Sequence, residues 1–305
     1  MTAAQPIAGI GFLTAVGDGD LAAMAESLEV MTELGADAAE LSLWGEEVIA
    51  GGRVLPERAR RLVELTRRFP LRYSVHGQVS SNFMDAAHLD LQKAVVRAML
   101  ELCDQLGASV LVHHGGTAPM PDEQEERARL DAMERAALAE LAEVARGYGV
   151  RLVLENIFAE SAQEYRQTPA EVAATVRTVG HPHLAGLIDF SHAYIESTRR
   201  GLDWREQIRA MAPVTGHLHV HDSFGRPYSM TRFYHPAEAT ALGIGDLHLP
   251  LGWGDIPWED IFGELAFLPD TLLILEIDPA QYRSELAESL ARARRLAALR
   301  NGRPA

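Results

Sequence analysis

Two kinds of segment alternate along the chain. Short apolar runs of five to seven residues are each followed by a longer stretch with apolar residues at helical spacing, and the pair recurs eight times. The runs predicted as strands are 7–13, 38–44, 71–76, 109–114, 151–155, 184–189, 216–221 and 271–277. The helical patterns cover 21–34, 56–69, 89–106, 122–148, 203–211, 258–265 and 281–299, with another opened by Thr168 as N-cap and Pro169 in its first turn. Gly35, Gly107 and Gly149 close three of them. The strands barely alternate, as strands covered on both faces should read. Eight strand-then-helix units favour a closed α/β barrel, the (β/α)8 TIM barrel, over an open doubly wound sheet. It is expected as a single domain over 1–305. One connection breaks the rhythm: 223–245 is a long loop at the barrel's active face, and such loops are usually functional.

At 305 residues and 47% hydrophobic, the chain can bury a large core. Its formal charge of −15 argues against a general nucleic-acid binder, which usually presents a basic face. Lys93, mid-helix by pattern, is the only lysine, which argues against Schiff-base chemistry. Cys103 is the only cysteine, so an intrachain disulfide and thiolate metal sites are excluded. Neither a secretory leader nor an apolar run of about 18 residues is visible, so a soluble cytoplasmic protein is expected, with no membrane partner.

The chemistry gathers around Gly216-His217-Leu218-His219-Val220-His221-Asp222, where His217, His219 and His221 share one face of the seventh strand. The other strands end in kind: His76 after the third, His113-His114 after the fourth, Glu155 after the fifth, Asp189 after the sixth and Glu276 on the eighth. In a barrel these ends converge, and buried carboxylates gathered around one axis demand cations. His192, Asp246 and His248 lie just beyond strand ends and are further candidates.

These residues resemble the xylose-isomerase-like TIM-barrel superfamily, and within it the endonuclease IV (AP endonuclease 2) branch. The resemblance rests on Val75-His76-Gly77, His114-Gly115, Leu154-Glu155-Asn156, Asp189-Phe190-Ser191-His192-Ala193, His219-Val220-His221-Asp222, Asp246-Leu247-His248 leading to Leu251-Gly252-Trp253-Gly254, and Glu276. It implies a trinuclear centre: His76, His114 and Glu155 at one ion; Glu155, Asp189, His219 and Glu276 at a second; His192, Asp246 and His248 at a third. His113 is the alternative to His114, and the following glycine favours His114. Three zinc ions suit this nitrogen and oxygen donor set, with manganese or iron as alternatives. Val79 and Ser80 stand where endonuclease IV carries its duplex-inserting pair, although Asn82 is kept, so duplex DNA is not the expected partner.

Clustered cations suit phosphate-ester cleavage, so the leading expectation is a metal-dependent hydrolase (phosphoesterase) of a small phosphorylated or sugar-like substrate, with Glu155 and Glu276 catalytic. His221 and the loop residues Arg226, Tyr228, Arg232 and Tyr234 are expected to bind that substrate. The alternative is a sugar or cyclitol isomerase or epimerase. There one divalent ion would sit on Glu155, Asp189, His219 and Glu276, and Glu155 or Glu276 would shuttle a proton. His192, Asp246 and His248 would then bind substrate. A non-enzymatic metal-dependent binding protein is the third class. The turn from Trp253 to Trp258 is expected in a pocket wall or a homodimer contact.

Overall fold

Eight parallel strands close into a barrel in the computed structural model, which describes residues 6–17, 19–230 and 232–302. In chain order they are β1 (Ile7–Leu13), β2 (Ala38–Ser42), β3 (Arg72–His76), β4 (Val110–His114), β5 (Arg151–Glu155), β6 (Leu184–Asp189), β7 (Thr215–Val220) and β8 (Thr271–Leu275). Each pairs with the next, and β1 pairs with β8, so no edge is left open. The expected (β/α)8 TIM barrel is the observed fold.

The outward faces of the strands are apolar, and the inward faces largely so below their carboxyl ends, with Glu40, Ser74 and His217 as buried polar exceptions. Outward positions such as Leu41, Val75, Leu111, Leu154, Leu218 and Leu273 join the main core with the helices. Alternate positions point inward and fill the barrel: Val110, Val112, Val153, Ala185 and Leu187 form one cluster, and Ala38, Leu272 and Ile274 another. Two residues further along the same inward faces come His114, Glu155, Asp189 and Glu276. The apolar filling thus ends where a polar layer begins, at the carboxyl ends of the strands. Register aligns that layer, pairing His114 with Glu155 and Asp189 with His219.

Several elements depart from the expected boundaries. β2 stops at Ser42 and turns into a 3-10 segment, Leu43–Gly45. A small hairpin, Ile49–Ala50 with Arg53–Val54, turns through Gly51 and Gly52, whose φ of 55° and 75° favour residues without a Cβ. The helix Phe190–Arg200, not expected from the pattern, follows β6 directly. The last residue of β6 serves as its cap, Asp189 Oδ1 accepting the His192 N–H at 2.7 Å. The long segment after β7 also holds a helix, Pro236–Leu242, which corrects the expectation of a wholly irregular loop. Its start is fixed by His235 and Glu238 capping each other's backbone, with proline in the first turn, and Gly243 ends it. Among the described residues no helix is long and apolar enough to cross a membrane.

Candidate active site

Glu155 stands at the centre of the polar layer. Its Oε2 lies 3.4 Å from His114 Nε2 and 3.7 Å from His76 Nε2, and its Oε1 lies 3.5 Å from His219 Nδ1 and 3.2 Å from His192 Nδ1. His219 Nδ1 is also 3.3 Å from Glu276 Oε1, so two carboxylates flank one ring nitrogen. Asp189 shares a set of close donor atoms with Glu155 and His219. The period-two alternation of β4 decides between its two histidines. His114 turns into the barrel, while His113 stacks on Phe83 with ring centroids 4.0 Å apart. Burial opposes ionisation of Glu155, yet the facing rings of His114 and His219 outweigh it and hold the carboxyl well below its ordinary value. Burial likewise disfavours a charged His219, and Glu276, Glu40 and Glu155 overcome it, raising that ring well above the usual histidine range.

The sequence reading missed Glu40. It sits mid-β2, fully buried, and accepts from His217 Nε2 at 2.7 Å, His219 Nε2 at 2.8 Å and Ser74 Oγ at 2.7 Å. Burial pushes its carboxyl upward, and His219 and His217 reverse that and bring it well below its ordinary value. The available signal was a lone acidic residue within the run Ala38-Ala39-Glu40-Leu41. Asn156, Trp44 and Phe158 were also missed. Asn156 exchanges hydrogen bonds with the Asp189 backbone, Trp44 meets His76 edge-on at 4.6 Å, and Phe158 lies 5.1 Å from His192.

The chain returns to the site after its long excursion because Asp222 and Leu249 exchange backbone hydrogen bonds at 2.8 and 3.2 Å. The Asp222 carboxylate also accepts from the Gly252 N–H at 2.7 Å, pinning the Gly252-Trp253-Gly254 turn. Asp246 and His248 are thereby carried to the mouth. Asp246 Oδ2 stands between His192 Nε2 at 3.2 Å and His248 Nε2 at 2.8 Å, so the third expected trio does meet. The second nitrogen of each ring faces a backbone carbonyl: His192 Nδ1 that of Asn156 at 3.2 Å, His248 Nδ1 that of Glu276 at 2.9 Å. All these partners only accept, so each ring in this arrangement carries both protons. Burial lowers both rings, and carboxylates win: Asp189 and Asp246 raise His192 well above its ordinary value, and Asp246 raises His248 to about 10. His248 holds its place at φ 47°, a left-handed conformation costing about 1 kcal/mol or more outside glycine.

His221, expected to bind substrate, lies deeper, bonding Asp189 Oδ2 at 3.0 Å and stacking on His248 at 4.2 Å. Of the loop residues, Tyr228 reaches the site's edge, its ring 5.9 Å from Phe158 and its hydroxyl 3.4 Å from the Asp246 nitrogen. The others turn away. Arg226 donates to the Leu242 carbonyl, and Arg232 stacks on Tyr234, which is 80% exposed. Among the described residues none of these three bonds to the cluster. Trp258 is fully buried against Phe190 and Phe262, whereas Trp253 is half exposed.

The donor set fits a divalent cation. His219 Nδ1 and Glu155 Oε2 are buried without a hydrogen-bond partner, and such atoms are costly unless something compensates them. At the mouth, protons on His192 and His248 face the Asp246 carboxylate, positions that a bound cation would take over.

Residues 28–296 match the family model for the xylose isomerase-like TIM barrel, a match to the wider family that does not single out the endonuclease IV branch. A solved D-tagatose 3-epimerase-like protein is similar at 20% identity and TM-score 0.71, over 97% of this chain and 99% of that one. A D-psicose 3-epimerase solved in the presence of D-fructose is similar at 15% identity and TM-score 0.66, over 95% and 99%. An uncharacterised protein of Methanocaldococcus jannaschii is 23% identical over 249 residues, 79% of this chain and 74% of its own length. The expected phosphate-ester hydrolase is therefore corrected. The side chains it was built on do converge, but the similar solved structures are mostly sugar epimerases or epimerase-like proteins.

Proposed function

The chain belongs to the xylose isomerase-like TIM-barrel family, and from that premise we propose that it is a divalent-cation-dependent epimerase or isomerase of a small sugar or cyclitol. The observation that carries the reading is the pair Glu155 and Glu276, 3.5 and 3.3 Å from the same unpartnered nitrogen, His219 Nδ1. Glu155, Asp189, His219 and Glu276 would hold one ion, with manganese, cobalt or magnesium suited to the oxygen-rich set. Once bound, that ion would polarise a carbonyl and the hydroxyl on the adjacent carbon, which acidifies the hydroxyl-bearing carbon.

The chain's own groups do the rest. One carboxylate takes the proton from that carbon, and the other returns a proton to the opposite face, inverting the centre. Their flanking arrangement is what a two-carboxylate transfer needs. His192 and His248 hold Asp246 between them at the mouth, where its carboxylate accepts from a substrate hydroxyl. Phe158 and Tyr228 offer aromatic faces at the rim. Further ions at His76 and His114, or around Asp246, are not needed for this chemistry.

The test is incubation of the purified protein in D2O with free ketoses or keto-cyclitols and Mn2+, Co2+ or Mg2+ in turn. Expected is a diastereomer or isomer carrying solvent deuterium at the reacting carbon. Folded, cation-loaded protein that neither exchanges nor converts any of them would overturn the proposal.

A further inference from the structure

His219 offers a ligand electron pair at Nδ1 only if its proton resides on Nε2, and nothing at Nδ1 enforces that. The neighbours there, Glu155 and Glu276, are both acceptors and would sooner draw a proton to that nitrogen. The choice falls to the opposite side of the ring, where Glu40 reaches in from β2 across the barrel. We propose that Glu40 is a positioning residue: by accepting the Nε2–H of His219 it keeps the proton on that nitrogen and leaves Nδ1 an electron-pair donor aimed between Glu155 and Glu276. A metal-binding histidine generally needs such an acceptor behind it, and losing one typically costs 10- to 100-fold in metal affinity. The inference rests on the cation reading of the site, not on which substrate is turned over.

The geometry gives the carboxylate two unlike oxygens. His217 Nε2 and Ser74 Oγ both donate to Oε2, at 2.7 Å each, whereas Oε1 receives His219 alone, at 2.8 Å. A carboxamide has one accepting atom and one donating atom. In Glu40→Gln the amide oxygen therefore takes the place where two donors converge, and the amide nitrogen faces His219. A donor now meets Nε2, so the ring must accept there and move its proton to Nδ1. The substitution conserves volume, and His217 and Ser74 keep their acceptor. The lesion is directed at one tautomer.

The experiment titrates metal-free wild-type protein and Glu40→Gln with Mn2+, reading free ion by electron paramagnetic resonance, with circular dichroism to verify folding. Expected is a 10- to 100-fold weaker affinity in the folded variant. Equal affinity in folded protein would overturn the proposal. A second measurement needs no variant: 1H–15N correlation of imidazole-labelled wild type loaded with Mg2+. His219 should show a slowly exchanging Nε2–H and no Nδ1–H, and a proton on Nδ1 would overturn the assignment even if Glu40→Gln fails to fold. Both readouts are independent of turnover. If they come out as expected while no ketose or cyclitol reacts, the epimerase proposal fails and the role of Glu40 stands. Wild type that binds no Mn2+ overturns the cation reading and this inference together.

Discussion

Glu134 provides the sharpest test of the electrostatics that support the site. It lies on the helix Gln124–Tyr148, fully buried, and its Oε1 accepts the backbone N–H of Gly116 at 2.6 Å, just past His114. Its Oε2 is buried without a partner. Burial raises its carboxyl from an ordinary 4.5 to about 7, with nearby Asp131 adding to the rise against the lowering influence of the Gly116 N–H. Because folding raises the pKa, the folded protein holds the proton longer than the unfolded chain. Below about pH 4.5 both states are protonated and the group costs nothing. Between 4.5 and 7 the unfolded carboxyl ionises first, and stability falls by about 1.4 kcal/mol per pH unit. Above about 7 the cost levels off near 3 kcal/mol in order of magnitude.

Glu134→Gln cannot ionise. Its amide oxygen keeps the Gly116 bond, and its unpartnered amide nitrogen costs about 1–3 kcal/mol at every pH. The pH-independent part cancels when the stability difference between variant and wild type is compared at pH 5 and pH 8 by urea denaturation. The difference should shift in the variant's favour by about 2–3 kcal/mol between those pH values. A difference that stays constant across the range would refute the reasoning, since it would mean that Glu134 titrates alike in the folded and unfolded chains.

The remaining expectations concern the site and its surroundings. Glu276→Gln should slow conversion about 100- to 10,000-fold while Glu155 still exchanges substrate hydrogen with D2O; loss of conversion with exchange also absent would show that Glu276, rather than Glu155, removes the proton. Chelation should abolish activity and lower Tm, and readdition at about 100 times Kd should restore about 2.7 kcal/mol. Elemental analysis should find near one ion per chain, and three would overturn the single-ion reading. Cys103 is fully buried, and that burial pushes its thiol far above its ordinary value. It should resist a thiol reagent in native protein and react in denaturant; rapid native reaction would contradict the packing.

The periodicity of the chain determined the barrel. Short, mostly apolar runs are stable only when both faces are covered, and eight of them alternating with amphipathic helices favour a closed barrel over an open sheet. The strand-end residues His76, Glu155, Asp189 and Glu276 were legible because a charge at the end of an apolar run is conspicuous. The helix Phe190–Arg200 was not, since its cap, Asp189, reads first as a ligand. The function was misjudged because donor residues are the same letters whether they hold a cation or a proton. Only tertiary structure shows that His192 and His248 make hydrogen bonds from both ring nitrogens while His219 Nδ1, flanked by two carboxylates, makes none. Glu40 belongs to the same class. It lies 177 positions from His217, and only closure of the barrel brings β2 and β7 to share one buried carboxylate. Local pattern reports what a segment needs covered; which atom meets which across the barrel is decided by register and closure.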